Sequence, residues 1–187
     1  MNKKEHKIIV VGSVGSGKST SIRTISEIPV VGTEASASER QALHRKETTT
    51  VAMEYGIVHI EGVKLHLYGT PGQRRFDFMG SLLCKGAAGM MVMIDNGGDN
   101  PMEELDYYLK FHGHFLKDKP AVIGVTHYDD TRTDTGLIDY HNYCISKSFN
   151  IPVMRLDARE KSHVERTMRR LLNEIQGVKS NNFKMTG

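Results

Sequence analysis

Residues 12–19 read GSVGSGKS and fit the pattern G-x-x-x-x-G-K-[ST]; where they stand decides the fold. Just before them lies KIIVV, residues 7–11, a β-branched run of a length suited to one buried strand. Just after them Ile22, Ile25 and Ile28 recur at helical spacing and predict a helix over residues 18–28. Glycines between a strand and a helix let the backbone curl until successive N–H groups face inward. Together with the helix N-terminus those donors cradle phosphate oxygens. Gly12, Ser13, Val14, Gly15, Ser16, Gly17, Lys18, Ser19 and Thr20 are therefore the expected phosphate-binding residues. Lys18 would reach the β- and γ-phosphates, and the Ser19 hydroxyl would hold magnesium.

Working outward, apolar runs and helical patterns alternate. Residues 51–69, VAMEYGIVHIEGVKLHLYG, read as two antiparallel strands joined by a tight turn at Glu61 and Gly62. AAGMMVMID, residues 87–95, is a buried run fit for a central parallel strand. Pro101 can open a helix whose core face is Leu105, Tyr108, Leu109 and Phe115. PAVIGVT (120–126) and PVMRLD (152–157) are further strands, with a helix expected over about 137–148 between them. A last helix is expected over about 161–176, striped by Val164, Met168, Leu171, Leu172 and Ile175. Residues 30–50 show no period and read as a long loop.

Repeated β-then-α units imply a three-layer α/β domain: a six-stranded, mostly parallel sheet with one antiparallel strand at its edge and helices on both faces. Residues 1–178 are expected to form this single domain, and residues 179–187 a flexible C-terminal tail.

The composition suits that reading. The chain has 187 residues, 39% hydrophobic and 25% charged, with a net charge of +3 and a pI of 8.8. That is mildly basic and does not by itself mark a nucleic-acid binder. Cys84 and Cys144 have no metal-ligand spacing and no disulfide framework, which suits a reducing cytoplasm. No apolar run approaches the roughly 20 residues of a membrane span, and neither end carries an acylation or prenylation signal, so no stable membrane anchor is expected. His112 and His114 stand two apart, would point to different faces of a helix, and are read as surface histidines rather than a metal pair.

In a parallel sheet ligands bind outside the carboxyl ends of the strands, so the residues that follow each strand matter most. After the first come residues 12–19; after 120–126 comes THYD, Thr126 to Asp129; after 152–156 comes DAR, Asp157, Ala158 and Arg159. After the second hairpin strand comes LYGTPGQRRF, residues 67–76, and ahead of the first hairpin strand stands TTTVAMEYG. In these residues the chain resembles the Ras-like small GTPases, whose motifs occur here in family order over residues 7–159. The resemblance implies a P-loop NTPase G domain.

On that resemblance THYD is the base-reading motif, with His127 where the family has lysine. A carboxylate at Asp129 accepts two hydrogen bonds from guanine, whereas adenine would leave it unpaired at a cost. His127 could stack on the base, and Ala158 could donate its N–H to the guanine oxygen. Gly72 would sense the γ-phosphate and Gln73 would orient the attacking water. Thr50 would be the switch threonine that touches magnesium and the γ-phosphate, with Thr48 and Thr49 as alternatives.

Arg40 and Arg45, in the long loop, are candidates for a charge-neutralising finger in cis, although solvated loop charges are the plainer reading. The implied catalytic set is Gln73, Thr50 and Lys18, and the implied metal ligands are Ser19 and Thr50.

Two departures bear on the rate. Val14 stands where many relatives have glycine and would crowd the glutamine. Gly69 stands where relatives carry an aspartate that orients magnesium's water; the loss of such an outer partner costs about 10–100-fold in metal affinity. The expected protein is a cytoplasmic GTP/GDP switch with slow hydrolysis stimulated by a partner. The alternative is a nucleotide-occupied scaffold with negligible hydrolysis. A P-loop kinase is disfavoured, since no arginine-rich lid follows the fourth strand. LYGTPGQRRF, GVTHYD and LDAR are similar to the bacterial subgroup often encoded beside Roadblock/LC7 proteins, related to the gliding-motility polarity GTPase. That likeness implies a Roadblock/LC7-type partner.

Overall fold

The structure is a computed structural model that describes residues 5–32, 53–73, 82–128 and 135–184. In chain order the elements are β1 (Glu5–Gly12), α1 (Lys18–Ile25), β2 (Val31–Gly32), β3 (Glu54–Ile60), β4 (Val63–Gly69), β5 (Gly89–Asp95), α2 (Pro101–Phe111), α3 (Gly113–Asp118), β6 (Ala121–Thr126), α4 (Leu137–Ser146), β7 (Val153–Arg155) and α5 (Lys161–Lys184).

The apolar run of β1 explains the layering. Successive side chains of a strand point to opposite faces. Ile8 and Val10 accordingly pack with Ile22, Ile25, Val164, Met168, Leu171 and Leu172 of α1 and α5. Ile9 and Val11 pack on the other side with Leu105, Tyr108, Leu109 and Tyr140 of α2 and α4. A strand buried on both faces needs apolar residues at every position, which is why β1 and β5 read as unbroken runs. Ile8, Ile9, Val10 and the methionines Met90, Met91 and Met93 have no exposure at all.

The sheet has the order β2-β3-β4-β1-β5-β6-β7, with β1 parallel to both β4 and β5. After β1 the chain moves to one side for β3 and β4, then crosses to the other for β5, β6 and β7. The carboxyl end of β1 therefore lies at the reversal of strand order, where such sheets bind ligands.

Seven strands replace the six expected. The seventh is β2, two residues that pair antiparallel with β3, too short to leave a period in sequence. β3 does run antiparallel to β4, but β2 covers it, so it is not the edge. The turn at Glu61 and Gly62 has φ of 51° and 75°, the double positive that suits the twist of a two-residue hairpin.

Helix ends differ from the periodicity. α1 stops at Ile25 and α4 at Ser146, short of residues 28 and 148, whereas α5 continues past Gln176 to Lys184. The helix begun at Pro101 breaks at His112, and α3 carries Phe115. His112 is buried, unlike the surface histidine expected, and its ring stacks 6.1 Å from that of Tyr108. Burial pushes its imidazole down to about 4. His114 is exposed. Among the described residues no helix is long and apolar enough to cross a membrane.

Candidate functional site

Gly12 ends β1 and turns the chain into the loop. Its φ is +152°, and a Cβ there would come 2.4 Å from the Met93 carbonyl oxygen and 2.6 Å from Ser16 Oγ. Only glycine fits this contact with the next strand. Beyond it Ser16 is buried and its Oγ donates to the Ser13 carbonyl at 2.9 Å, which draws the loop into a tight curl. Lys18 is buried in the first turn of α1. Its Nζ donates to the Ser13 carbonyl and lies 3.4 Å from Ser16 Oγ. The ammonium is thus held over the hollow of the loop. Ser19 follows, half-buried, and Thr20 is exposed. Val14 is 69% exposed at the crest.

Gly72 lies against this loop. A Cβ on it would stand 2.6 Å from the Val14 nitrogen and 2.9 Å from Lys18 Nζ. The strip 69–73 is tied down by Thr70, whose N–H donates to the Val10 carbonyl at 3.0 Å. Gln73 is exposed beside it. The structure thus brings Gly72 to the phosphate loop, with the exposed Gln73 next to it in the chain.

The base motifs come to the other side of the same loop. Thr126, at the end of β6, is buried; its Oγ1 lies 3.1 Å from the Ser16 carbonyl and 3.2 Å from that of Ile94. Its hydroxyl pins the phosphate loop to the strand end. Thr24 of α1 donates to the Ala158 carbonyl at 2.8 Å and ties in the last motif. Between these lies a cleft of about 390 Å³, lined by Gly15, Gly17, Thr20, Thr126, His127, Tyr128 and residues 155–159. Ligand sites start at roughly this volume.

His127 has a left-handed φ of 49°, and its Nδ1 sits 2.7 Å from Asp95 Oδ1 at the end of β5. Asp157 grips Arg159 with both oxygens, at 3.0 and 2.7 Å. The Arg159 guanidinium holds the Asp157 carboxyl well below the usual carboxylate range.

Several site residues carry no sequence signal. Tyr128 lines the cleft under Arg155, whose guanidinium carbon is 5.4 Å from the ring centre. Glu104 of α2 accepts a hydrogen bond from the Ser13 N–H at 3.2 Å, behind the loop. Burial pushes its carboxyl up, against that hydrogen bond. Asp95 could have been suspected, as an acid that closes an otherwise apolar strand. Thr50, its alternatives Thr48 and Thr49, Asp129, Arg40 and Arg45 lie outside the described residues. Among the described residues no three His, Cys, Asp or Glu gather as a metal cage.

Comparison with known proteins agrees with this geometry at the level of the nucleotide. Residues 31–181, more than half of the chain, match the model of a family described as "Conserved hypothetical ATP binding protein". The matched stretch begins after the phosphate loop and spans both cleft loops. Uncharacterized protein MJ1339 of Methanocaldococcus jannaschii is 31% identical over 150 residues, 79% of this chain and 84% of its own. With a phosphate loop at the switch point of a mostly parallel sheet and a match of this extent, the chain belongs to that family of P-loop nucleotide-binding proteins.

Proposed function

We propose that the protein is a cytoplasmic guanine-nucleotide switch that binds GTP and GDP with magnesium and hydrolyses GTP slowly. The observation that carries the reading is the Thr126 hydroxyl against the Ser16 carbonyl. It supports the reading because it joins the cleft beside β6 to the loop of residues 12–19, so that one nucleotide would span both.

Guanine is favoured by Asp129, three residues on from Thr126, for the reason that adenine leaves such a carboxylate without donors. The family description names ATP, so competition decides. A fluorescent GDP analogue should be displaced by GTP and untouched by excess ATP. Equal displacement by ATP removes Asp129 from its role and leaves an ATP-binding protein.

Magnesium fits the donor set. The ion ordinarily keeps several waters and takes one or two protein ligands beside the phosphates. The Ser19 hydroxyl, in the first turn of α1, would be one such ligand, and Thr50 is proposed as the second. When bound, the ion offsets the charge of the β- and γ-phosphate oxygens.

The residues of the chain then divide the work. Lys18 meets the same phosphate oxygens, and Gly72 reports on the γ-phosphate through its contact with the loop. Gln73, exposed beside Gly72, orients the water. Single-turnover hydrolysis should fall at least about tenfold in Gln73→Ala; unchanged cleavage removes Gln73 from the mechanism. Val14, exposed at the crest, favours a second reading, a nucleotide-occupied scaffold, which predicts no cleavage even in the parent protein. By its resemblance the switch is proposed to answer to a Roadblock/LC7-type partner, tested by hydrolysis with and without that protein.

A further inference from the structure

Gly69 is the place where a carboxylate is missing, and a carboxylate stands beside it. Glu54 and Gly69 are direct partners across β3 and β4. A Cβ at position 69 would lie 3.4 Å from the Glu54 Cβ and 3.5 Å from its Oε2. The Glu54 carboxylate therefore occupies space within reach of an aspartate grown from β4. It is 8% exposed, among the few charged groups buried in the described residues. Its Oε1 accepts from Arg23 Nη2 at 3.0 Å, and Oε2 is left toward the end of β4.

The helix side ties Glu54 to the element that carries Ser19. Arg23 is four residues after Ser19 in α1, and side chains so spaced share a face with Cβ atoms about 5–6 Å apart. The Glu54 carboxylate is thus tied to the helix whose first turn carries the hydroxyl proposed to hold magnesium. Magnesium ordinarily keeps several of its waters, so a carboxylate on this side would serve it by accepting a hydrogen bond from one of them.

We propose that Glu54 supplies from β3 the outer carboxylate that Gly69 lacks, and so holds the waters of the nucleotide-bound magnesium in place. The inference rests on the reading of the site as a magnesium–nucleotide site. It also accounts for the glycine. An aspartate at 69 would bring a second carboxylate against Glu54, and like charges so close oppose ionisation of both. Its Cβ would meet Ile22 Cδ1 at 2.8 Å as well. Position 69 and position 54 are alternative sources of one charge.

The test is the free magnesium concentration at which release of a bound fluorescent nucleoside diphosphate is half-suppressed. It is run with both the guanosine and the adenosine analogue, so failure of the base assignment does not touch it. Glu54→Gln should raise that midpoint about 10–100-fold. Gly69→Asp in the Glu54→Gln background should restore it, whereas Gly69→Asp alone should not improve on the parent. Manganese binding, followed by its electron paramagnetic resonance signal, should weaken and recover in parallel. Arg23→Ala breaks the ion pair and spares the carboxylate, so it controls for a structural role. An unchanged midpoint in Glu54→Gln overturns the proposal, as does an equal rise in Arg23→Ala or release that ignores magnesium in the parent.

Discussion

The phosphate end of the cleft is shaped chiefly by backbone, with Lys18 reaching into it, and the base end chiefly by side chains. At the first, Gly12 pressed on Met93, the curl from Ser13 to Gly17 and the close approach of Gly72 leave hydrogen-bond donors as the working surface. At the second, Thr126, His127, Tyr128, Arg155, Asp157 and Arg159 bring the chemistry; the first four are tied to a neighbour from another element, and Asp157 and Arg159 to each other. The difference is one of tolerance. At the close contacts of Gly12, Gly17 and Gly72 the backbone has little room, and an added Cβ there strikes a neighbour. A side-chain site loses one partner at a time. The perturbed acids mark the same contrast: Glu104, behind the phosphate loop, has its carboxyl pushed up by burial, whereas Asp157, at the base end, has its carboxyl pulled down by Arg159.

The largest expected effect falls on the backbone end. Gly12→Ala forces a Cβ into the Met93 carbonyl at a positive φ and should cost about 3 kcal/mol or more of stability in urea unfolding. A loss below about 1 kcal/mol would mean the loop shifts freely, and the contrast between the ends would fail. Thr126→Val comes next. It leaves the volume and removes the hydroxyl from two buried carbonyls, for about 1–2 kcal/mol. Nucleotide should also leave several-fold faster, since the base loop no longer holds Ser16. A stability loss with unchanged release would make Thr126 structural only.

The smallest effects are the pH slopes of the two acids, and their signs should oppose. Glu104 has a raised folded-state value, so what it contributes to stability is present in acid and lost as pH rises through that value. Asp157 has a depressed one; its contribution is present above the ordinary carboxylate range and lost as pH falls. Relative to Glu104→Gln, the parent should weaken as pH climbs past the carboxylate range. Relative to Asp157→Asn, it should weaken as pH drops through and below that range, with a small amplitude because the pair is partly exposed. Differences taken against the parent cancel the titration of His112. Slopes of one sign would contradict the assignment.

The same contrast explains what the sequence made legible. A backbone site must write its needs as glycines at fixed spacing, so residues 12–19 and Gly72 stand out with no structure. Thr126 and Ala158 are legible because strand ends come in order along the chain. Asp95, Glu104, Tyr128, Arg155 and Glu54 are ordinary residues at ordinary places. They become a site only when β3, β5, α2 and β7 meet there, and pairing across strands leaves no local pattern. The two residues of β2 are too few for a period, and the break at His112 and Gly113 was signalled only by the glycine.

One hydroxyl has a consequence for how the two ends can move. Thr126 Oγ1 reaches the Ser16 carbonyl across 110 residues of chain. While that buried contact stands, the strand end beside the base cleft and the curl under the phosphates share one rigid frame. Any protein that pries at either end must first spend force on the other, or break the contact and strand a desolvated carbonyl.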